Sequence, residues 1–324
     1  MISEDRKHFL EETIIIKLEK YENFSEFYHE LKAKYGESHR YYHTWDHVLD
    51  LIDQVMDQYH HYFDNDLLLS ILFHDAIYNP RDKDNEEKSA EYFKKYFPDN
   101  NLVYNAIINT KNHKMNDNFS QTSYILNQID MSILYQSNMK TFIDYENKIM
   151  KEYQFIDYES YRKHRLDFLK SVNGIKEEFI NYVKYYKPNI AIYCGSFNPF
   201  HKGHMNILEK AEKIFDKVII CKGINPDKGP SMGGLPAILG SHQLMVYDGL
   251  LTDFIDTFNY EVTLVRGLRN SADFEAEKVQ YRYLCDLKPD IKVVNIISDA
   301  EFEHISSSSI RTLKKYNKGE NYLV

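Results

Sequence analysis

Pro188 and Asn189 divide a chain patterned only for helices from one patterned for alternating strands and helices. Upstream, in "HVLDLIDQVMDQYHHYF", Val48, Leu51, Ile52, Val55, Met56 and Tyr59 recur at helical spacing and mark one buried face. "DLLLSILFHDAIY" is apolar nearly all round, as a central buried helix must be. "YILNQIDMSIL" and "YRKHRLDFLKSV" continue the helical texture, and nothing before residue 186 alternates like a strand. Downstream, "IAIYCGSF", "KVIICKG", "EVTLVRG" and "IKVVNIIS" read as short apolar strands. Between them lie "GHMNILEKAEKIF", "DFEAEKVQYRYL" and "SSSIRTLKKY", which read as amphipathic helices. The pattern predicts an all-helical domain over residues 1–186 and an α/β domain with a parallel sheet over residues 187–324. A chain of 324 residues accommodates both.

Charge narrows the partners. The net charge of −9 falls on the helical half, with 23 basic and 32 acidic residues, whereas the α/β half carries 17 of each. No basic stripe is available for nucleic acid, which needs cations to neutralise its phosphates. Small phosphorylated ligands need only a few placed cations and remain compatible. The three cysteines, Cys194, Cys221 and Cys285, form no CxxC pair and suit a reducing cytosol. The acidic start "MISEDRKHFLEETIIIKLEK" does not resemble a signal peptide, and no stretch is long enough to span a bilayer. A cytoplasmic protein with neither membrane nor nucleic-acid partners is expected.

Four segments of the helical half carry candidate ligands: "RYYHTWDH" (His43, His47), "FHD" (His74, Asp75), "TKNH" (His113) and "QID" (Asp130). Asp75 ends an otherwise apolar helix, where a bare carboxylate is costly without a cation. Imidazoles and carboxylates together form a ligand set for Mn, Fe, Zn, Co or Mg. The same residues could equally be separate, individually hydrogen-bonded polar groups.

The arrangement H…HD…D resembles the HD superfamily of metal-dependent phosphohydrolases, through "HRYYHTWDHVLDLI", "ILFHDAIYNPRDKDNEEKSA", "INTKNHK", "ILNQIDMSIL" and "YENKIMKEY". The resemblance implies that His47, His74, Asp75 and Asp130 hold a divalent transition metal or Mg²⁺, with Asp75 also at the centre of the chemistry. It makes His43 and His113 candidates for a second metal or a substrate phosphate. Such a metal would acidify a water and polarise a P–O bond. A non-catalytic sensor or scaffold is the alternative use of this domain.

In the α/β half, "IAIYCGSFNPFHKGHMNIL" runs from a strand through Gly195, Ser196 and Phe197 into a helix beginning near Gly203. Such a helix start directs backbone N–H groups at an anion above the strand end. The dipole contributes only about 0.3–1 kcal/mol per anionic group, and His201 and His204 add ring donors at the same place. Lys228 follows the second strand. Arg266 and Arg269 follow a later one, with Glu277 on the next helix. Ser306, Ser307 and Ser308 open a further helix, either as a cap or as phosphate ligands. All fall at the carboxyl edge of the expected sheet, where open α/β folds bind ligands.

"GSFNPFHKGH", "FDKVIICKGINPDKGP", "VRGLRNSADFEAE" and "ISSSSIR" resemble the HxGH nucleotidyltransferase superfamily, and within it phosphopantetheine adenylyltransferase. The resemblance implies attack by a substrate phosphate on the α-phosphorus of Mg²⁺-ATP, with release of pyrophosphate. Gly195, Ser196, Phe197, His201, Arg269, Glu277 and Ser306–Ser308 would then contact the nucleotide. His204, Lys228 and Arg266 would stabilise the transition state. It further implies a homo-oligomer. Asn198 stands where that family usually has Asp, as in many nicotinate-mononucleotide adenylyltransferases, so nicotinamide or nicotinate mononucleotide is the alternative acceptor.

Overall fold

The computed structural model describes residues 2–111, 119–224 and 234–324. It forms two compact units, Met1–Glu152 with Asp167–Tyr182, and Tyr153–Leu166 with Val183–Val324. Residues 153–166, read from the sequence as part of the helical half, therefore group with the α/β residues. Among the described residues no helix is long and apolar enough to cross a membrane.

Among the described residues nine helices come first: α1 Glu4–Leu18, α2 Phe24–Tyr35, α3 Trp45–Gln58, α4 Asn65–Phe73, α5 Asn85–Lys94, α6 Asn101–Ile108, α7 Gln121–Asp130, α8 Ser132–Tyr135 and α9 Met139–Glu152. They are followed by α10 Tyr158–Ser171 and α11 Glu177–Tyr185. In α4 every residue from Leu67 to Phe73 is buried, which is why its sequence shows no polar face. Asp64 caps it by accepting from the Leu67 N–H at 2.8 Å, and Ser70, the one polar side chain from Leu67 to Phe73, donates to the Asp66 carbonyl. The helix thus carries its next residues, His74 and Asp75, into the interior.

The α/β unit holds a five-stranded, all-parallel sheet in the order β3-β2-β1-β4-β5. Its strands are β1 Ile190–Gly195, β2 Lys217–Gly223, β3 Leu244–Tyr247, β4 Val262–Leu268 and β5 Lys292–Ile297. The helices are α12 Lys202–Ala211, α13 Leu251–Ile255, α14 Ser271–Leu287 and α15 Ser307–Lys314. This is a doubly wound, Rossmann-like order whose reversal beside β1 opens a crevice at the strands' carboxyl ends. The short strand β3 adds a fifth member to the four expected from sequence.

Lys217, 2% exposed at the start of β2, explains why residues 153–166 join this unit. Its ammonium donates to the carbonyls of Gln154 and Ile156, and burial pushes its pKa down to about 7. Asp157 accepts from the Tyr260 hydroxyl at 2.8 Å, and the Tyr158 hydroxyl donates to the Tyr186 carbonyl. Lys217→Met leaves two carbonyls without their donor, so the unit should lose about 2–4 kcal/mol. Calorimetry of the intact protein should show a lowered transition; an unchanged profile would mean that the clasp contributes nothing.

Candidate functional site

In the helical unit, the N-terminal turn of α3, the end of α4 and the end of α7 bring together His47, His74 and Asp130. Their ligand atoms all lie within 4.8 Å of one another. Asp130 Oδ1 is 3.3 Å from His47 Nε2 and 3.8 Å from His74 Nε2, and Asp75 Oδ2 is 3.0 Å from His74 Nε2. The two imidazoles are 3% and 1% exposed, yet among the described residues neither Nε2 has a hydrogen-bond partner. Carboxylate oxygens this close but not aligned for bonding are the arrangement left when lone pairs converge on a shared point. His74 Nδ1 donates to the Ile71 carbonyl at 2.8 Å, which leaves the Nε2 lone pair facing inward, as a metal-ligating tautomer requires. Burial disfavours a proton on His74, but Asp75 outweighs it and raises the pKa to about 9. In turn, burial of Asp75 is outweighed by His74, which holds that carboxyl well below the usual range. A divalent cation would satisfy the same carboxylates in place of that proton. The donor set fits one.

His43 is turned to a different partner. Its Nδ1 lies 2.7 Å from Glu152 Oε2, and that carboxylate outweighs burial to raise the His43 pKa. Sequence reasoning missed Glu152, which is 2% exposed and 109 residues away from His43. Glu152 Oε1 accepts the backbone N–H groups of Tyr41, Tyr42 and His43, and Oε2 accepts the Tyr78 hydroxyl. Arg40 was missed too: its guanidinium donates to the carbonyls of Asp75 at 2.7 Å, Ala76 at 3.1 Å and His43 at 3.2 Å. It therefore pins the turn that carries Asp75. His113 lies outside the described residues.

In the α/β unit, His201 caps α12, and the two histidines exchange bonds. His204 N–H donates to His201 Nδ1, and His201 N–H donates to His204 Nδ1. With both Nδ1 atoms accepting, each neutral ring carries its proton on Nε2. Burial, followed by the Arg269 charge, lowers His201 to about 4. Burial, then His201, then Arg269, lowers His204 further. At neutral pH the pair offers N–H donors, not cations. Because the folded values lie below the ordinary 6.5 of histidine, stability from this pair is full above pH ~6.5 and lost as pH falls toward 4. A pH-dependent unfolding series should show that loss, and variants lacking both rings should not.

Phe197 adopts φ 43°, left-handed and uncommon for an aromatic residue, and its ring packs edge-on against His204 at 5.0 Å. A Cβ on Gly195 would come within 2.8 Å of that ring, so glycine is required there. Gly195→Ala should displace Phe197, lower stability by about 1–3 kcal/mol and loosen His204. A thermal melt indistinguishable from the parent would refute this packing account.

The remaining motif residues are more committed than expected. Arg266 makes a two-pronged pair with Glu277, at 2.8 and 2.6 Å, and donates to Gln280. Arg269 does the same with Asp273 and also donates to the Ile305 carbonyl. Ser306 caps α15 by accepting from the Ser309 N–H, with Ser308 Oγ 3.1 Å away. The Ser307 hydroxyl donates to the Pro199 carbonyl, and Arg311 donates to the Asn198 carbonyl at 2.5 Å. The serine run is thus fastened to the turn before α12, where the Asn198–Pro199 peptide is cis. Lys228 lies outside the described residues. A cavity of 690 Å³ opens at the carboxyl ends of β1 to β4, with Ser196, Arg266, Tyr247, Leu250, Tyr283 and Leu284 on its walls. Tyr247 and Leu250 were not anticipated, because they depend on β3.

A family described as cytidylyltransferase-like matches residues 192–237. A phosphopantetheine adenylyltransferase of Mycoplasma capricolum is 38% identical over 138 residues, covering 40% of this chain and 99% of that protein. Another, from Clostridium botulinum, is 34% identical over 140 residues, covering 39% of this chain and 85% of that protein. A solved structure, a bifunctional NMN adenylyltransferase/ADP ribose pyrophosphatase from Francisella tularensis complexed with AMP and Mn, shares 18% identity at a TM-score of 0.29. It is covered over 44% of its own chain and 42% of this one, too weak a likeness to argue from. The two relatives, covered over nearly their whole length, make the chain a member of the phosphopantetheine adenylyltransferase family.

Proposed function

We propose that the α/β unit transfers the adenylyl group of ATP to phosphopantetheine and that the helical unit is an HD-type metal-dependent phosphohydrolase. The first reading rests on the neutral His201–His204 pair at the start of α12, the helix that follows the end of β1, where Gly195 and Ser196 line the cavity that also contains Arg266. An acceptor phosphate oxygen bonds to the α-phosphorus while the α–β bridging bond breaks, and its electron pair leaves with pyrophosphate. Negative charge grows on the phosphoryl oxygens and the leaving group. The Nε2–H of His204 and the first N–H groups of α12 are donors for that charge, as electrostatic preorganisation requires. Arg266, fixed by Glu277 and Gln280, is a cation in the cavity wall. Ser306–Ser308 and Arg269 build the turn that holds these donors. Mg²⁺ on ATP supplies further charge neutralisation. The apolar wall of Leu250, Tyr283 and Leu284 suits the uncharged arm of phosphopantetheine.

Asn198 supports a second acceptor, nicotinamide or nicotinate mononucleotide. Incubation with Mg·ATP and each acceptor separately, followed by product mass, distinguishes them. Dephospho-coenzyme A is expected from phosphopantetheine; a dinucleotide formed only from a mononucleotide acceptor would replace that assignment.

The second reading rests on the buried Nε2 atoms of His47 and His74, which have no hydrogen-bond partner among the described residues. With Asp130 and Asp75 they would hold a divalent cation, which supplies Lewis acidity toward a phosphate ester. The Ile71 carbonyl fixes the His74 tautomer, Arg40 fixes the Asp75 turn, and Glu152 holds His43 as a polar group of the site. If this domain is instead a sensor, it should bind nucleotide without hydrolysing it.

A further inference from the structure

We propose that Cys194 and Cys221 form an oxidation site, at which a hydroperoxide joins the two thiols in an intramolecular disulfide and disturbs the end of β1 that lines the cavity. The effect on catalysis rests on the adenylyl-transfer reading; the chemistry of the thiols does not. The two cysteines are direct partners in the parallel pairing of β1 with β2. Side chains of paired residues leave the same face of a sheet. Neighbouring strands lie about 4.7–4.9 Å apart, within the roughly 4.4–6.8 Å between Cα atoms that a disulfide spans. Both are free thiols, and both are buried. Cys285 lies on α14 and takes no place in the sheet.

A row of side chains crosses the sheet at this level. Tyr193 pairs with Val265, so Arg266 follows on β4 beside Cys194, and Met245 pairs with Cys221 on β3. The Arg266 guanidinium interacts electrostatically with Cys194 and donates to its carbonyl at 3.4 Å. Gly223, two residues beyond Cys221, leaves room for the Tyr247 hydroxyl, which a Cβ there would meet at 2.8 Å. Gly195, Ser196, Gly223, Tyr247 and Arg266 all line the cavity. The thiol pair thus lies one residue behind the cavity wall, next to space that admits a peroxide scarcely larger than water.

The two sulfurs have different parts. A hydrogen bond to Cys194, and then burial, hold the Cys221 proton in place and raise its pKa. Cys194 has a cation beside it, as an attacking thiolate requires. Its sulfur attacks one peroxide oxygen as the O–O bond breaks, leaving a sulfenic acid on Cys194 and hydroxide, which takes up the thiol proton as water. The Cys221 sulfur then attacks the sulfenic sulfur: the S–S bond forms, the S–O bond breaks, and a second water departs with the Cys221 proton. The thiols lose two electrons and the peroxide gains them. Such pairs in cytosolic proteins are transient, and an added dithiol reverses them. A bridge holds the Cβ atoms about 3.8 Å apart, closer than paired strands do, so the carboxyl ends of β1 and β2 must draw together. That shift moves the Cys194 carbonyl away from Arg266 and carries Gly195 and Ser196 with it.

The test treats the full-length protein with hydrogen peroxide, digests it without reduction and maps the peptides by mass spectrometry. Pyrophosphate release with Mg·ATP and phosphopantetheine is followed alongside. A linked pair joining Cys194 to Cys221, lighter by two hydrogens than the separate peptides, is expected. Release should fall about tenfold as the link forms, the scale of a small misplacement in the site, and recover with dithiothreitol. Cys221→Ala should give no link, and its Cys194 should instead be trapped by dimedone as sulfenic acid. Where that variant does not fold, the parent's peptide map decides alone. Two free thiols after peroxide, separate oxidation of each to sulfinic acid, or a link to Cys285 would overturn the proposal. A linked pair with undiminished release would overturn the disturbance of the cavity. Absence of pyrophosphate release before oxidation would overturn the adenylyl-transfer reading, with the peptide map still deciding on the thiols.

Discussion

Glu152→Ala should lower the stability of the helical unit by about 3–5 kcal/mol, the loss typical of removing one partner from a buried charged network. The carboxylate is buried and accepts from five donors: three successive backbone N–H groups, the Tyr78 hydroxyl and His43 Nδ1. Burial alone would favour its protonated form. His43 and the other donors outweigh that and hold its pKa down to about 2. Folding therefore favours the ionised carboxyl. Its contribution is full above the ordinary glutamate value of 4.5 and disappears as pH falls toward 2. Glu152→Gln separates the contacts, because its carbonyl still serves the three amides while its NH₂ group can no longer accept from His43. That variant should lose less stability than Glu152→Ala. Trp45, the single tryptophan, lies in α3 and reports on this unit by fluorescence. Equal losses for the two substitutions would show that the amide cradle matters little.

Asp130→Asn should abolish cation retention while sparing the fold. The substitution preserves shape and removes the charge that stands 3.3 Å from His47 Nε2. Even partners outside the ligand shell change affinity by about 10–100-fold, so loss of a ligand should weaken binding by at least about a hundredfold. The measurement is metal content per chain after exhaustive dialysis, following exposure to Mn²⁺, Fe²⁺, Co²⁺ or Zn²⁺. About one ion per chain is expected in the parent and almost none in the variant. A parent that retains none of these ions would contradict the assignment of His47, His74 and Asp130 as ligands. Retention by Asp130→Asn equal to the parent would remove Asp130 from the set.

What the sequence made legible was local. The break at Pro188, the all-round apolar α4 and the HKGH turn each announce themselves within a dozen residues, because periodicity and turn chemistry are short-range signals. His74 and Asp75 were legible for the same reason: a polar pair at the end of an apolar helix stands out. Glu152 was not, since it meets Tyr41 across 111 residues and sits among charges on an ordinary amphipathic helix. Arg40 carries no signal of its own in the sequence, and only the fold shows its guanidinium held by the carbonyls of His43, Asp75 and Ala76 and by the Glu37 carboxylate. Strand β3 escaped notice because it is four residues long and lies at the sheet edge, with alternating half-exposed side chains. The grouping of residues 153–166 depends on Lys217, whose burial in a strand no pattern of spacing reveals. The commitments of Arg266 to Glu277 and Arg269 to Asp273 were equally hidden, although the i,i+4 spacing of Arg269 and Asp273 could have suggested the second pair.

The central claim is adenylyl transfer by the α/β unit, and ATP labelled at the α-phosphate tests it most directly. With Mg²⁺ and phosphopantetheine present, the label should pass into dephospho-coenzyme A while unlabelled pyrophosphate accumulates in equal amount. Label that stays in ATP with every acceptor phosphate supplied, or that appears only as free AMP, would contradict it.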